Sequence, residues 1–266
     1  MNGKDYKNIL FTVEDRVATI VINRPEVANA IDGDTRIEMN DAFNRCSESD
    51  EVGVVVLTGA GKNFSAGGNL KNFKAVLEAG DTIRATAVVK AAHTAWDICK
   101  CSKPTIAMIN GTAAGMGAAL AATCDFRVFA PSSKFTMAFI NVGLSGDTGC
   151  MFYLTKLLGI ARAKDIIMTG RPVEAEDAKM IGLANIVSET DEQLAEATYK
   201  FARKFARGPA FAYAKQKEVF SRIFYQELEQ YTELECNNLE ACASHPDFRE
   251  AVFAFSEKRR PEFNKK

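Results

Sequence analysis

Two stretches of small residues, Phe64-Ser65-Ala66-Gly67-Gly68-Asn69-Leu70 and Asn110-Gly111-Thr112-Ala113-Ala114-Gly115-Met116-Gly117, constrain this chain more than any other feature. Each follows an apolar run, 52–58 and 105–109, with the length and composition of a buried strand, and each leads toward a helical pattern. A chain that leaves a sheet through Gly and Ala exposes backbone N–H groups and lets a ligand approach them closely. The helix that follows adds partial positive charge at its N-terminus. Two such turns can aim two donors at one carbonyl oxygen, as stabilisation of a developing oxyanion requires. Taken singly, each turn is equally compatible with a tight structural connection.

The rest of the chain supplies the frame for these turns. Alternating apolar residues predict strands at 9–13 and 17–23, then a helix at 34–49 and the strand at 52–58, an order of β-β-α-β. A long helix is expected at 82–99 and strands at 105–109 and 126–130. Helices are then expected at 149–158, 161–168, 174–181, 191–206, 210–224 and 226–243, with 71–90 left as a flexible segment. Strands alternating with helices and then a run of helices imply an α/β core with a helical C-terminal region. The expected division is a core of residues 1–200 and a helical region of 201–266, with Gly208-Pro209 as the seam. Phe211, Phe220, Phe224, Leu228, Leu234 and Leu239 exceed what a peripheral helix pair needs to bury, so an oligomer is expected.

Composition excludes several classes. Thirty-three Lys+Arg against 34 Asp+Glu give a net charge of −1, which offers no general attraction for nucleic acid or an anionic membrane. No apolar run reaches the ~18 residues of a membrane span, and the N-terminus lacks the pattern of a secretory signal, so a cytoplasmic location is expected. The seven Cys show no CxxC pairing and are expected to be reduced. With only two His, no metal site is expected. His93 falls in a helical stretch and reads as a surface residue. His245, before Pro246, reads as a turn between helices.

In their order, the motifs resemble the enoyl-CoA hydratase/isomerase (crotonase) superfamily over nearly the whole chain. The resemblance begins at Val17-Ala18-Thr19-Ile20-Val21-Ile22-Asn23-Arg24-Pro25 and Ala28-Asn29-Ala30. It runs through Val54-Val55-Val56-Leu57-Thr58-Gly59, the two small-residue stretches, Lys103-Pro104-Thr105-Ile106-Ala107, Cys124-Asp125, Ala163-Lys164 and Thr169-Gly170. It ends at Gly182-Leu183-Ala184 and Phe255-Ser256-Glu257-Lys258-Arg259-Arg260-Pro261. It implies a crotonase-like spiral of ββα units with a helical C-terminal trimerisation region, assembled as a homotrimer or a dimer of trimers. It implies an acyl-CoA thioester substrate, with coenzyme A part of the substrate and no separate cofactor. It places the oxyanion N–H groups on Gly68 and Met116, the latter where relatives commonly carry the middle Gly of a triplet. The implied substrate and coenzyme A contacts are Arg24, Ala28, Ala30, Ala66, Gly67, Asn69, Leu70, Gly115, Phe139 and Leu144, with Lys258 near the nucleotide of a neighbouring subunit.

The resemblance also bears on the reaction. Hydratases of the family use two Glu residues, and the corresponding positions here are Ala119 and Phe139. Neither side chain can move a proton. One carboxylate remains nearby, Asp147, in a pattern similar to that of family isomerases that shift a double bond, including the ring-expanding isomerases of phenylacetate breakdown. Phe139, Leu144, Met151 and Phe152 would surround it with apolar matter and raise its pKa toward a value useful for proton transfer. Asp147 also stands where the helix at 149–158 begins, so it could serve as a helix cap instead, unless Thr148 supplies the cap. A dehalogenating relative pairs an Asp at this place with a Trp and a His, but Phe139 holds the Trp position and His93 is out of register. Asn69 reads as closing a turn, Asn141 as a substrate contact or a strand end, and Asp125 as a structural connector. The leading expectation is an isomerase. A hydratase, decarboxylase or hydrolase on the same turns, or a catalytically silent CoA-binding subunit, stands beside it.

Overall fold

The computed structural model describes residues 5–264. Strand β1 (Ile9–Glu14) turns back on β2 (Val17–Ile22) through Asp15 and Arg16, whose positive φ values of 49° and 65° suit the twist of a two-residue hairpin. Helix α1 (Gly33–Glu48) follows, with Asp32 accepting the Thr35 N–H as its cap. Strands β3 (Val54–Gly59) and β4 (Asn63–Ser65) lead to α2 (Leu70–Glu78) and α3 (Ala85–Lys100). Strands β5 (Thr105–Ile109) and β6 (Thr112–Ala114) lead to α4 (Met116–Thr123), and β7 (Phe126–Phe129) and β8 (Lys134–Thr136) lead to α5 (Cys150–Leu158) and α6 (Ile160–Thr169).

From β3 onward each ββα pass gives one strand to each of two sheets, which makes the chain a spiral. The larger sheet has the order β1-β2-β3-β5-β7-β10, closed by β10 (Ile186–Val187), and is parallel from β2 onward. The smaller has the order β4-β6-β8-β9, with β9 (Val173–Glu174) antiparallel to β8. β3 is buried at every position, as a strand covered on both faces must be, whereas β1 alternates. The short strands of the second sheet escape sequence patterning because three residues are too few to alternate.

After α7 (Ala175–Met180), helix α8 (Leu194–Ala206) lays Ala202 and Ala206 against Val54, Val56, Ile106 and Val128 on one face of the larger sheet. Gly53 permits this approach, since a Cβ there would sit 2.8 Å from the Ala206 Cα. Gly208 and Pro209 follow, and α9 (Ala210–Val219), α10 (Leu228–Ala243) and α11 (Pro246–Ser256) complete the helical C-terminal region. α10 packs on α3 and α11 on α2. The expected helix at 210–224 ends at Val219 and gives way to a π-helical turn over Phe220–Phe224. The segment 71–90, expected to be flexible, holds most of α2 and the start of α3. Among the described residues no helix is long and apolar enough to cross a membrane, and no group of His, Cys, Asp and Glu is placed to hold a metal. All seven cysteines are free thiols, six of them buried.

Candidate active site

The two small-residue turns lie against each other. The Ala66 N–H donates to Ala28 O at 2.9 Å, and Gly67 O accepts the Ile31 N–H at 2.8 Å, so loop 28–31 and turn 66–68 form one ledge. Buried Asn29 anchors it through Nδ2 to Ala60 O and Asn63 O, and Ser65 Oγ donates to Asn29 O while accepting the Gly67 N–H. Arg24 braces its outer side, donating to Ala30 O and pairing with Asp32 at 2.5 Å. Gly67 has φ +83°, and a Cβ there would lie 2.6 Å from Ala114 O and 2.9 Å from Met116 N. Only glycine lets the second turn approach so closely.

Gly68 N–H and Met116 N–H have no acceptor among the described residues. Met116 opens α4, where the first N–H groups lack partners and carry the positive end of the helix dipole. Two unengaged donors on adjoining turns can receive a negatively charged oxygen. Asn69 caps α2 through its own side chain, accepting the Lys71 N–H, and Leu70 begins that helix. Asn69 therefore closes a turn.

Phe139 links these turns to Asp147. A Cβ on Gly115, next to Met116, would lie 3.8 Å from the Phe139 ring, and one on Gly146, next to Asp147, would lie 3.7 Å from the same ring. The loop that carries Asp147 is held in unusual backbone conformations: Gly146, Thr148 and Gly149 have φ of +125°, +61° and +75°. Thr148 is β-branched and fully buried, so its left-handed φ is a strain that the surroundings enforce. Its hydroxyl donates to Asp147 Oδ1 at 2.7 Å.

Burial among apolar groups raises the Asp147 carboxyl to about 6, against the opposing pull of the Thr148 hydrogen bond and the positive charge of Arg36 on α1. Phe139, Leu144 and Phe152 are all buried, and Met151 lies beside Gly146, as the apolar surroundings require. Asp147 does not cap α5. The N-cap position is Gly149, without a side-chain cap from its own turn, and Thr148 bonds Asp147 rather than the helix end.

The acceptor at that helix end is Glu235 of α10, whose Oε2 takes the Gly149 N–H at 2.9 Å. Glu235 is 2% exposed, its Oε1 accepts the Tyr231 hydroxyl at 2.5 Å, and burial chiefly, with the nearby Asp147 charge, raises it to about 8. Sequence patterning misses Glu235, Tyr231 and Arg36. The available signal was Glu235 on the stripe Leu228, Thr232, Cys236, Leu239 and Ala243, a carboxylate among buried positions.

The other residues singled out in the sequence lie elsewhere in the chain. Lys258 lies exposed just past the end of α11, and Arg259 beside it pairs with Glu250 and Glu257. Asn141 is exposed at the end of a short 3-10 turn. Asp125 accepts the Thr105 N–H and hydroxyl and pairs with Lys217, a structural connector as expected. His93 is exposed beside Trp96, and His245 caps α11.

Comparison with known proteins places these features in company. The family described as Enoyl-CoA hydratase/isomerase matches residues 12–266. The chain is similar to the trans-2-decenoyl-[acyl-carrier-protein] isomerase of Streptococcus mutans, 32% identical over 263 residues, with 98% of this chain and 100% of the relative covered. It is 33% identical over 260 residues to the 1,2-epoxyphenylacetyl-CoA isomerase of Escherichia coli, covering 97% and 98%. A crystal structure of an enoyl-CoA hydratase from Mycobacterium avium subsp. paratuberculosis superposes with a TM-score of 0.88 at 25% identity, covering 98% of this chain and 100% of that one.

Proposed function

The chain belongs to the enoyl-CoA hydratase/isomerase family, and within it we propose that this protein is an isomerase that moves a carbon–carbon double bond in an acyl-CoA thioester. Asp147 carries this reading. It sits on the loop that shares the Phe139 ring with the second donor turn, is not engaged as a helix cap, and is raised to about 6, where it can both take and return a proton near neutral pH. The positions implied for a hydratase Glu pair, Ala119 and Phe139, are buried hydrocarbon here.

The thioester oxygen sits between the Gly68 and Met116 N–H groups. Asp147 removes a proton from the γ carbon of a 2-enoyl thioester, and the electron pair moves through the chain onto the thioester oxygen as a dienolate. The two donors stabilise that charge, an effect of about 3 kcal/mol per donor in comparable sites. The protonated carboxyl then delivers the same proton to the α carbon, leaving a 3-enoyl thioester of identical formula. Ala28, Ala30 and Arg24 form the ledge on which the coenzyme A nucleotide lies. No cofactor besides the thioester is needed, and the assembly is a homotrimer or a dimer of trimers.

The Streptococcus mutans relative favours one variant, in which the acyl group is carried by an acyl-carrier protein rather than coenzyme A. One experiment covers both: trans-2-decenoyl-CoA and trans-2-decenoyl-acyl-carrier protein are incubated with the protein, and products are resolved by mass and double-bond position. A product of unchanged mass with a shifted bond supports isomerisation. A gain of one water contradicts it.

A further inference from the structure

The start of α5 is held from an unusual direction. The first N–H groups of a helix lack intrahelical partners and are normally taken by a side chain of the same turn. Here the N-cap residue is Gly149, and the acidic side chain nearest in sequence, Asp147, accepts from Thr148. The Gly149 N–H goes instead to the Glu235 carboxyl group on α10, which also receives the Tyr231 hydroxyl, while the Cys150 N–H goes to the backbone oxygen of Asp147. An acid so deeply buried is costly to keep unless its bonds are needed.

We propose that Glu235 is a positioning residue for Asp147, taking up the Gly149 N–H from across the α5–α10 interface so that the Asp147 carboxylate is not drawn onto the helix and stays available for proton transfer. This rests on Asp147 being the proton carrier. Without Glu235, the vacated Gly149 N–H lies two residues along the chain from the Asp147 carboxylate, and two effects follow. The carboxylate turns away from the substrate, and the donor stabilises its ionised form, lowering its pKa.

The groups that face this pair are few. Arg36 of α1 acts on Asp147, together with Thr148, Cys150 of α5 and Cys236 of α10. Tyr231 and Cys236 of α10 and Cys150 and Tyr153 of α5 face Glu235. Burial raises the thiols and phenols, so they stay neutral across the pH range of interest. Glu235, raised to about 8, is already protonated through the acid limb near 6, so changes in that limb report Asp147.

The test compares wild type, Glu235→Gln, Glu235→Ala and Asp147→Asn, using trans-2-decenoyl-CoA in deuterated water and reading exchange of the α and γ hydrogens against pH. Glu235→Gln keeps an oxygen that can accept the helix N–H, so kcat should stay within about threefold of wild type. Glu235→Ala should lower kcat by about tenfold or more with little change in KM, and should move the acid limb to lower pH. A purely structural residue would lower the melting temperature without moving that limb. Wild-type kcat and acid limb in a folded Glu235→Ala protein, with Asp147→Asn inactive, would overturn the positioning role alone. An active Asp147→Asn protein would overturn the underlying assignment and this proposal with it. A loss in Glu235→Gln as large as that in Asp147→Asn would make Glu235 a proton carrier and overturn the positioning role. If Glu235→Ala does not fold, the Gly149 amide resonance of the wild-type chain decides. It should titrate with Glu235, and titration with the Asp147 acid limb instead would overturn the proposal.

Discussion

The Glu235 carboxyl oxygen Oε2 accepts the Gly149 N–H at 2.9 Å across a sequence separation of 86 residues, so the helix after Asp147 is capped from the C-terminal region. Asp147 is left with one side-chain hydrogen bond, from Thr148, in apolar surroundings. A carboxylate kept this way is poorly solvated when charged, which suits a proton carrier and weakens the fold.

That cost is measurable. In the unfolded chain Asp147 loses its proton near 3.9, but in the folded chain only at about 6. The folded state holds the proton more tightly, so stability falls as pH rises between these values, and the deficit is complete above the folded pKa. Asp147→Asn removes the charge and should raise stability at pH 7.5 by about 1–3 kcal/mol, with the gain shrinking toward zero near pH 4. Thermal melts of both proteins across this range check it, and a gain independent of pH would contradict the origin assigned here.

Catalysis should show the same group with the opposite preference, since the ionised form is the base. The rate of hydrogen exchange should fall on the acid side with a midpoint near 6. A pH profile of kcat/KM measures it directly. A profile flat down to pH 4.5 would mean that the proton carrier is another group.

The two donor turns make separate demands on their glycines. A Cβ at Gly67 would meet Ala114 O at 2.6 Å, in a backbone conformation that side chains rarely adopt, so Gly67→Ala should force the turns apart. Gly68→Pro deletes a donor, and each change should lower turnover by about 10²-fold or more. Gly68→Ala keeps its N–H and meets only the edge of the Phe73 ring at 2.8 Å, a side chain able to shift, so its loss should be much smaller. Equal losses in folded Gly68→Pro and Gly68→Ala proteins would remove the support for an oxyanion contact.

Much of this architecture is legible in the residues themselves. The strands at 17–22 and 105–109 and the helices α3 and α5 to α8 show in hydrophobic period, and the donor turns show as glycine and alanine where a strand passes into a helix. The second sheet is hidden because β4, β6 and β8 are three residues each. The state of Asp147 is hidden for another reason. Whether an Asp near a helix start caps it depends on competing acceptors, and the competitor, Glu235, arrives from a distant helix that local pattern cannot connect to it. Arg36, whose charge bears on Asp147 from α1, is hidden in the same way.

The C-terminal helices leave apolar groups uncovered in the single chain. Phe211, Phe220, Phe224 and Leu234 are 77%, 57%, 53% and 61% exposed, while Leu228 and Leu239 are buried inside. Patches of this kind mark interfaces, and a trimer or a doubled trimer is expected. The double variant Phe220→Glu/Phe224→Glu should shift sedimentation toward single chains. A wild-type protein sedimenting only as a 29.1 kDa monomer at micromolar concentration would contradict the assembly.

The most direct test of the central claim is hydrogen exchange by Asp147→Asn, with trans-2-decenoyl-CoA in deuterated water and folding checked by circular dichroism. Because Asp147 does not cap α5, the substitution removes a proton acceptor without removing a helix cap. Exchange at the α and γ carbons and migration of the double bond should both fall by about 10²-fold or more, while thioester binding persists. Near wild-type exchange in the folded Asp147→Asn protein would show that Asp147 is not the proton carrier.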